Sequence, residues 1–123
     1  LEELIKYGDY SGESGYQQMS KWLGSQIVPD GVFAGSDQIA IGALEALRET
    51  GYKVGEDISI VGFDDIPMAG YCSPPLTTIR QDIRKIGATL VKNLLRNMKE
   101  GSITKTILPV ELVIRQSSLR TQV

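Results

Sequence analysis

At 123 residues, with 41% apolar and 23% charged side chains, the chain has the composition of one globular domain or a piece of one. Its formal charge of −2 and pI near 5.1 exclude it as a grip on a nucleic-acid backbone, which needs clustered Lys and Arg to displace counterions. There is no histidine and a single cysteine, Cys72, which removes the commonest general base, any Ser-His or Cys-His nucleophile pair, a zinc-type ligand set and an intrachain disulfide.

Taken in order, Leu1 to Tyr7 is apolar at Leu4, Ile5 and Tyr7, and its second half reads as a strand ending at Gly8-Asp9. The abrupt start, with no signal-peptide pattern, points to a sequence that begins inside a larger protein. Ser11 to Ser25 is a helix by its apolar spacing, with Tyr16, Met19, Trp22 and Leu23 on one face and Ser11 or Ser14 as cap. After the turn Pro29-Asp30-Gly31, Val32-Phe33-Ala34 forms a second strand. It runs into a helix carrying Ile39, Ala40, Ala43, Leu44 and Leu47 as a stripe, ended by Gly51.

The next strand, Ile58 to Phe63, stops at two consecutive carboxylates, Asp64 and Asp65, and a long loop with Pro67, Gly70, Pro74 and Pro75 leads to an extended stretch at Leu76 to Ile79. Strands near 4, 32 and 58 alternating with helices give β-α-β-α-β, an α/β fold with a parallel sheet and right-handed crossovers. From Asp82 a third helix carries Ile83, Ile86, Leu90, Leu94 and Met98, with Gly87 allowing close approach and Gly101 stopping it. Ile107 to Arg115 closes the chain as a strand, with Val110, Leu112 and Ile114 alternating against Glu111, Val113 and Arg115. Pro109 argues for an edge position or the first residues of the strand, and Ser117 to Val123 reads as a tail.

In open parallel sheets ligands bind beyond the carboxyl ends of the strands. The residues delivered there are Asp9 and Tyr10, then Ser36 and Asp37, then Asp64 and Asp65, with Arg80 and Gln81 on the re-entering segment. One aromatic ring and several hydrogen-bonding groups suit a sugar or a base. Ser36 is equally an N-cap, Asp37 equally a first-turn acid, and Asp65 equally an organiser of the turn before Pro67. Asp64 directly follows a buried strand and needs a partner there. A glycosidase needs two carboxylates about 5–10 Å apart, and adjacent residues on a strand end point different ways. No phosphate loop and no metal set is present, so no catalytic residue and no cofactor is expected.

Several stretches together resemble the C-terminal part of the effector-binding domain of LacI/GalR-family transcriptional regulators. They are Gly8 to Ser11 with Ser14 to Met19, Pro29 to Gly42, Asp57 to Asp65, Pro75 to Gln81, and Leu112 to Ser118. The resemblance implies a periplasmic-binding-protein type 1-like fold, of which this chain carries one lobe of a parallel-sheet sandwich plus a C-terminal helix and strand. Residues 1–81 would be the lobe with its crossover, 82–101 a helix belonging to an absent N-terminal lobe, and 102–123 the return strand and tail. It implies Asp64 as the acidic effector ligand and Tyr10 as the ring against the effector. Ser36 falls where some members have an asparagine ligand, and Gln81 and Ile83 fall on crossover positions near the effector. Asp37 joins this effector-binding set by position.

The same resemblance implies a homodimer formed around the Asp37 to Arg48 helix and the Ile66 to Cys72 loop. It also implies a cytoplasmic regulator that senses a sugar or nucleobase-like molecule, meeting DNA only through an N-terminal domain outside this chain, and no membrane. Without that lobe the stripe on Asp82 to Met98 is expected to lie open or to contact another chain. The alternative sharing the fold is a periplasmic sugar-binding protein of a transport system.

Overall fold

The computed structural model describes residues 2–119 and is an α/β domain built on one four-stranded sheet in the order β1-β2-β3-β4. The chain runs through α1 (Gly12–Gly24), β1 (Gly31–Phe33), α2 (Asp37–Glu49), β2 (Ser59–Asp64), β3 (Thr77–Arg80), α3 (Ile83–Glu100) and β4 (Glu111–Val113). The first three strands are parallel, with Val32 opposite Ile60 and Gly62 opposite Thr78; β4 joins β3 antiparallel, with Leu112 opposite Ile79.

Each helix starts where a short oxygen-bearing side chain covers free N–H groups. Ser11 accepts from the Ser14 amide, Ser36 from Ile39 and Asp82 from Lys85. Gly101 ends α3 in the left-handed conformation, which costs a glycine nothing. Helices α1 and α2 lie against each other, and α2 lies on β2. The crossing is close because Gly15 and Gly42 carry no side chain: a Cβ on Gly42 would sit inside the Gly12 carbonyl oxygen, and one on Gly15 inside that of Ile39. The core between these layers is Met19 and Trp22 from α1, Ala40, Ala43, Leu44 and Leu47 from α2, Ile58 and Ile60 around β2, and Ala69 and Leu76 from the loop. Each fully buried Leu, Ile or Met side chain there contributes about 1.5–3 kcal/mol.

Four expectations are corrected. No strand forms near residue 4; Glu2–Leu4 is a 3-10 turn and residues 5–9 run beside α1 without joining the sheet. The segment is held instead by side chains of α1: the Trp22 indole N–H donates to the Glu3 carbonyl at 3.0 Å, and the Lys6 ammonium lies 5.9 Å from the Trp22 ring centroid. An apolar run specifies a strand only when it finds a ladder partner, and Ile5 and Tyr7 remain exposed. The last strand is shorter than Ile107 to Arg115 and has the opposite phase. Val113 and Arg115 turn inward while Leu112 and Ile114 are exposed, because β3 offers three partners and the Arg115 guanidinium is drawn to Asp65. Residues 117–119 are no tail: Gln116–Ser118 is a 3-10 turn with Ser117 fully buried, and residues 120–123 lie outside the described residues. Gly87 approaches nothing, since a Cβ there meets no atom within 4 Å.

Helix α3 buries no residue, and Ile83, Leu90, Leu94 and Met98 are exposed. It is tied to the return segment, Asn93 donating to Thr106 at 2.9 Å and Arg96 to Thr104 at 2.8 Å. This is the open stripe that the sequence leads one to expect. No described helix is long and apolar enough to cross a membrane.

Candidate functional site at the carboxyl end of β2

Strand β2 ends in two acids with unusual backbones. Asp64 has φ +114° and Asp65 φ +55°, two consecutive non-glycine residues at positive φ. Left-handed positions cost a non-glycine residue roughly 1–3 kcal/mol and are tolerated best by Asn and Asp. The surroundings hold this turn in place. The Ile66 amide donates to Asp37 Oδ2 at 2.8 Å, and the Asp65 amide reaches Thr78 Oγ1 at 3.4 Å.

The two acids then take different work. Asp65 is nearly buried and accepts from two arginines, Arg80 Nε on Oδ2 at 2.6 Å and Arg115 Nη2 on Oδ1 at 2.7 Å. Burial pushes its carboxyl up, but the hydrogen bonds and charges of Arg115 and Arg80 outweigh that and hold it below the usual carboxylate range. Arg115 also donates to the Leu76 carbonyl at 2.8 Å, and Arg80 reaches Glu111 at 3.4 Å. Asp65 thus organises the turn. Asp64 is left for other partners: its Oδ1 accepts from Gln81 Nε2 at 2.9 Å, and its Oδ2 has no hydrogen bond among the described residues.

Asp64 and Gln81 line an open groove of about 620 Å³ with Asp65, Arg80, Ile83 and Glu111. Of the six candidate residues, this groove brings together Asp64, Gln81 and the exposed Ile83. The other three lie elsewhere. Tyr10 is 77% exposed in the loop before α1. Ser36 is buried as the α2 N-cap, accepting from Ile39 at 3.3 Å. Asp37 has no exposed surface; Oδ1 accepts from the Thr78 hydroxyl at 2.5 Å and Oδ2 from Ile66, so both oxygens are used inside the lobe. Burial pushes its carboxyl above the ordinary range despite those two bonds, and the charges of Asp64 and Asp65 add to the rise. Arg115 is the important residue that reading the sequence did not place at this site. Its partner lies 50 positions away, and no local pattern in the sequence marks the pair.

The groove contains Asp64, Asp65, Asp82 and Glu111 against Arg80 and Arg84. With Asp65 ion-paired and Asp82 spent on the α3 cap, Asp64 and Gln81 present acceptors and a donor suited to a neutral, hydroxyl-bearing molecule more than to an anion. No group of three or more potential metal-ligating side chains occurs among the described residues. A smaller hollow of about 270 Å³, between residues 4–9 and the α1 and β1 surfaces, is walled mainly by apolar groups such as Met19, Trp22, Val32 and Ile39, without such a convergence.

Residues 2–118 match the family described as periplasmic binding protein-like domain. The lactose operon repressor of Escherichia coli (strain K12) is 45% identical over 114 residues, covering 91% of this chain and 31% of the repressor. The chain therefore spans about a third of that relative's length. Among solved structures, the lac repressor dimer bound to operator and the anti-inducer ONPF superimposes with a TM-score of 0.84 at 45% identity, over 91% of this chain and 40% of that one. The complex of transcriptional regulator CelR with cellobiose gives a TM-score of 0.88 at 32% identity, over 95% and 36%. With its mostly parallel sheet and an acid turn at a strand end, the chain belongs to the periplasmic binding protein-like domain family, as part of the effector-binding domain of LacI-type repressors.

Proposed function

We propose that this chain is the effector-binding and dimerisation portion of a LacI/GalR-type regulator that senses a sugar and thereby changes operator binding by the full-length protein. The observation that carries this reading is the Asp64–Gln81 pair: one carboxylate oxygen accepts from the amide, the other has no hydrogen bond among the described residues, and both residues line an open groove at the strand ends. Sugar hydroxyls donate to such an oxygen and accept from such an amide. Ile83 supplies an apolar edge, and Tyr10, exposed outside this groove in the loop before α1, offers the ring face that the family resemblance assigns to the effector. The cellobiose bound to CelR and the ONPF bound to the lac repressor support a sugar-like ligand.

The ligand is bound and released unchanged. It acts by favouring one arrangement of the full-length protein over another, and only to the extent that it binds the two differently. Dimerisation through α2 and the loop after β2 is supported by a second, shallow groove between Ile41, Leu44, Arg48 and Cys72. DNA contact belongs to a domain outside this chain, in a cytoplasmic regulator.

The test is calorimetric titration of the full-length protein and its Asp64→Ala variant with lactose, cellobiose, ribose and free nucleobases. A sugar should bind saturably, and the variant should bind it about 10- to 100-fold more weakly, the worth of a hydrogen bond to a charged group. Equal binding by both proteins would overturn the assignment of Asp64.

A further inference from the structure

The acid after β1, Asp37, has the position of a ligand and the geometry of a support. Its carboxylate occupies a notch that exists because residue 62 is glycine: a Cβ on Gly62 would sit on Asp37 Oδ1 and crowd Leu76 at 3.0 Å. From that notch Oδ1 accepts from the Thr78 hydroxyl on the neighbouring strand and Oδ2 from the Ile66 amide, the first residue beyond the acid turn. The Thr78 hydroxyl is shared, since the Asp65 amide reaches the same oxygen at 3.4 Å. Both side chains are wholly buried. Two groups from α2 and β3 therefore hold the backbone amides of residues 65 and 66, immediately after the residue whose carboxylate faces the groove.

We propose that Asp37 and Thr78 are positioning residues for the effector site. Held between Gly62 and Thr78, the Asp37 carboxylate fixes the left-handed turn at Asp64–Asp65, and through it the placement of the Asp64 carboxylate against Gln81. The proposal rests on the reading of Asp64 as an effector ligand for its consequence in binding, but its geometric content stands apart from any ligand. A buried carboxylate with two donors prevents the turn from relaxing to an ordinary backbone, which would swing Asp64 away from the Gln81 amide. Asp37 itself touches no ligand.

The test uses the full-length protein and two substitutions on β3. Thr78→Val keeps the shape and removes the hydroxyl; Thr78→Ser keeps the hydroxyl and loses a methyl. Amide hydrogen exchange is followed in peptides covering 64–68 and, for reference, α1 and β1. Thr78→Val should speed exchange in 64–68 about tenfold or more, the loss of one buried hydrogen bond, with α1 and β1 unchanged and Thr78→Ser close to the parent. Unchanged exchange in 64–68, or an equal increase throughout the lobe, would overturn the proposal.

The same three proteins, with Asp64→Ala, are titrated with cellobiose, lactose and ribose. A sugar whose binding needs Asp64 should lose about tenfold in Thr78→Val and recover in Thr78→Ser. Binding that needs Asp64 but ignores Thr78→Val would refute the link between turn and site. Binding insensitive to Asp64→Ala would instead refute the effector assignment, leaving the exchange result to decide the turn.

Discussion

Replacing Ser117 with alanine removes one oxygen from a position that sequence alone marks as dispensable. In the fold that oxygen lies where β2 and β3 begin to pair. It accepts from the Thr77 amide at 2.8 Å and donates to the Ile60 carbonyl at 2.6 Å, and Ser117, Thr77 and Ile60 are all buried to within 1%. The alanine variant strands a donor and an acceptor with no water at hand. Each buried, unsatisfied group costs about 1–3 kcal/mol, and a carbonyl retains a second lone pair, so the sum is about 2–4 kcal/mol. Urea denaturation of the full-length protein, followed by circular dichroism, should show the transition of this lobe about 1–2 M lower at a slope of about 2 kcal/mol per M. Ser118→Ala is the control. Its hydroxyl shares only Thr77 Oγ1, at 2.7 Å, and that atom keeps its bonds to the Arg115 backbone, so the cost should stay below about 1 kcal/mol. A Ser117→Ala shift no larger than that of Ser118→Ala would refute the idea that this hydroxyl completes the ladder.

Gly42→Ala should destabilise by about 1–3 kcal/mol or more in a thermal melt, since its Cβ meets backbone of α1 that cannot move aside, whereas Gly24→Ala meets nothing within 4 Å and should be tolerated. The two buried acids should give pH dependences of opposite sign. Asp65, depressed by its arginines, contributes stability that is present above the ordinary carboxylate range and lost as pH falls through its lowered pKa. The advantage of the parent over Asp65→Asn should therefore shrink on acidification. Asp37, raised by burial, contributes stability that is present at low pH and lost as pH rises through its raised pKa, so the parent should gain on Asp37→Asn as the pH falls. Urea midpoints between pH 3 and 7 check both, and parallel curves would contradict the pairing described.

The helices were legible because their determinants are local: Ser11, Ser36 and Asp82 as caps, Gly101 as a stop, and apolar residues every three or four positions. Strands β1, β2 and β3 were legible as apolar runs between turn residues. The segment around Ile5 was misread because pairing is decided by a partner elsewhere, and the last strand was misphased because both faces carry apolar side chains. At the site, Asp64 and Gln81 could be named from strand-end position and resemblance, and the fold places them 2.9 Å apart. What position could not reveal is depth. Asp37 and Asp64 each follow a strand, yet one is sealed beneath the sheet because Gly62 leaves it room, and the other looks outward. The bond from Arg115 to Asp65 and the role of Ser117 depend on contacts 50 and 57 positions apart, which no local pattern encodes.

The groove also has a mechanical side. Its walls include residues 81–84, where the chain leaves the sheet for α3, and residues 109–111, where it returns. Helix α3 and its return segment are bound to each other and no helix residue is buried, so the helix stands on these two joints as an arm. At about 1.5 Å per residue the arm is roughly 27 Å long, and a tilt of roughly 10° carries its far end about 5 Å.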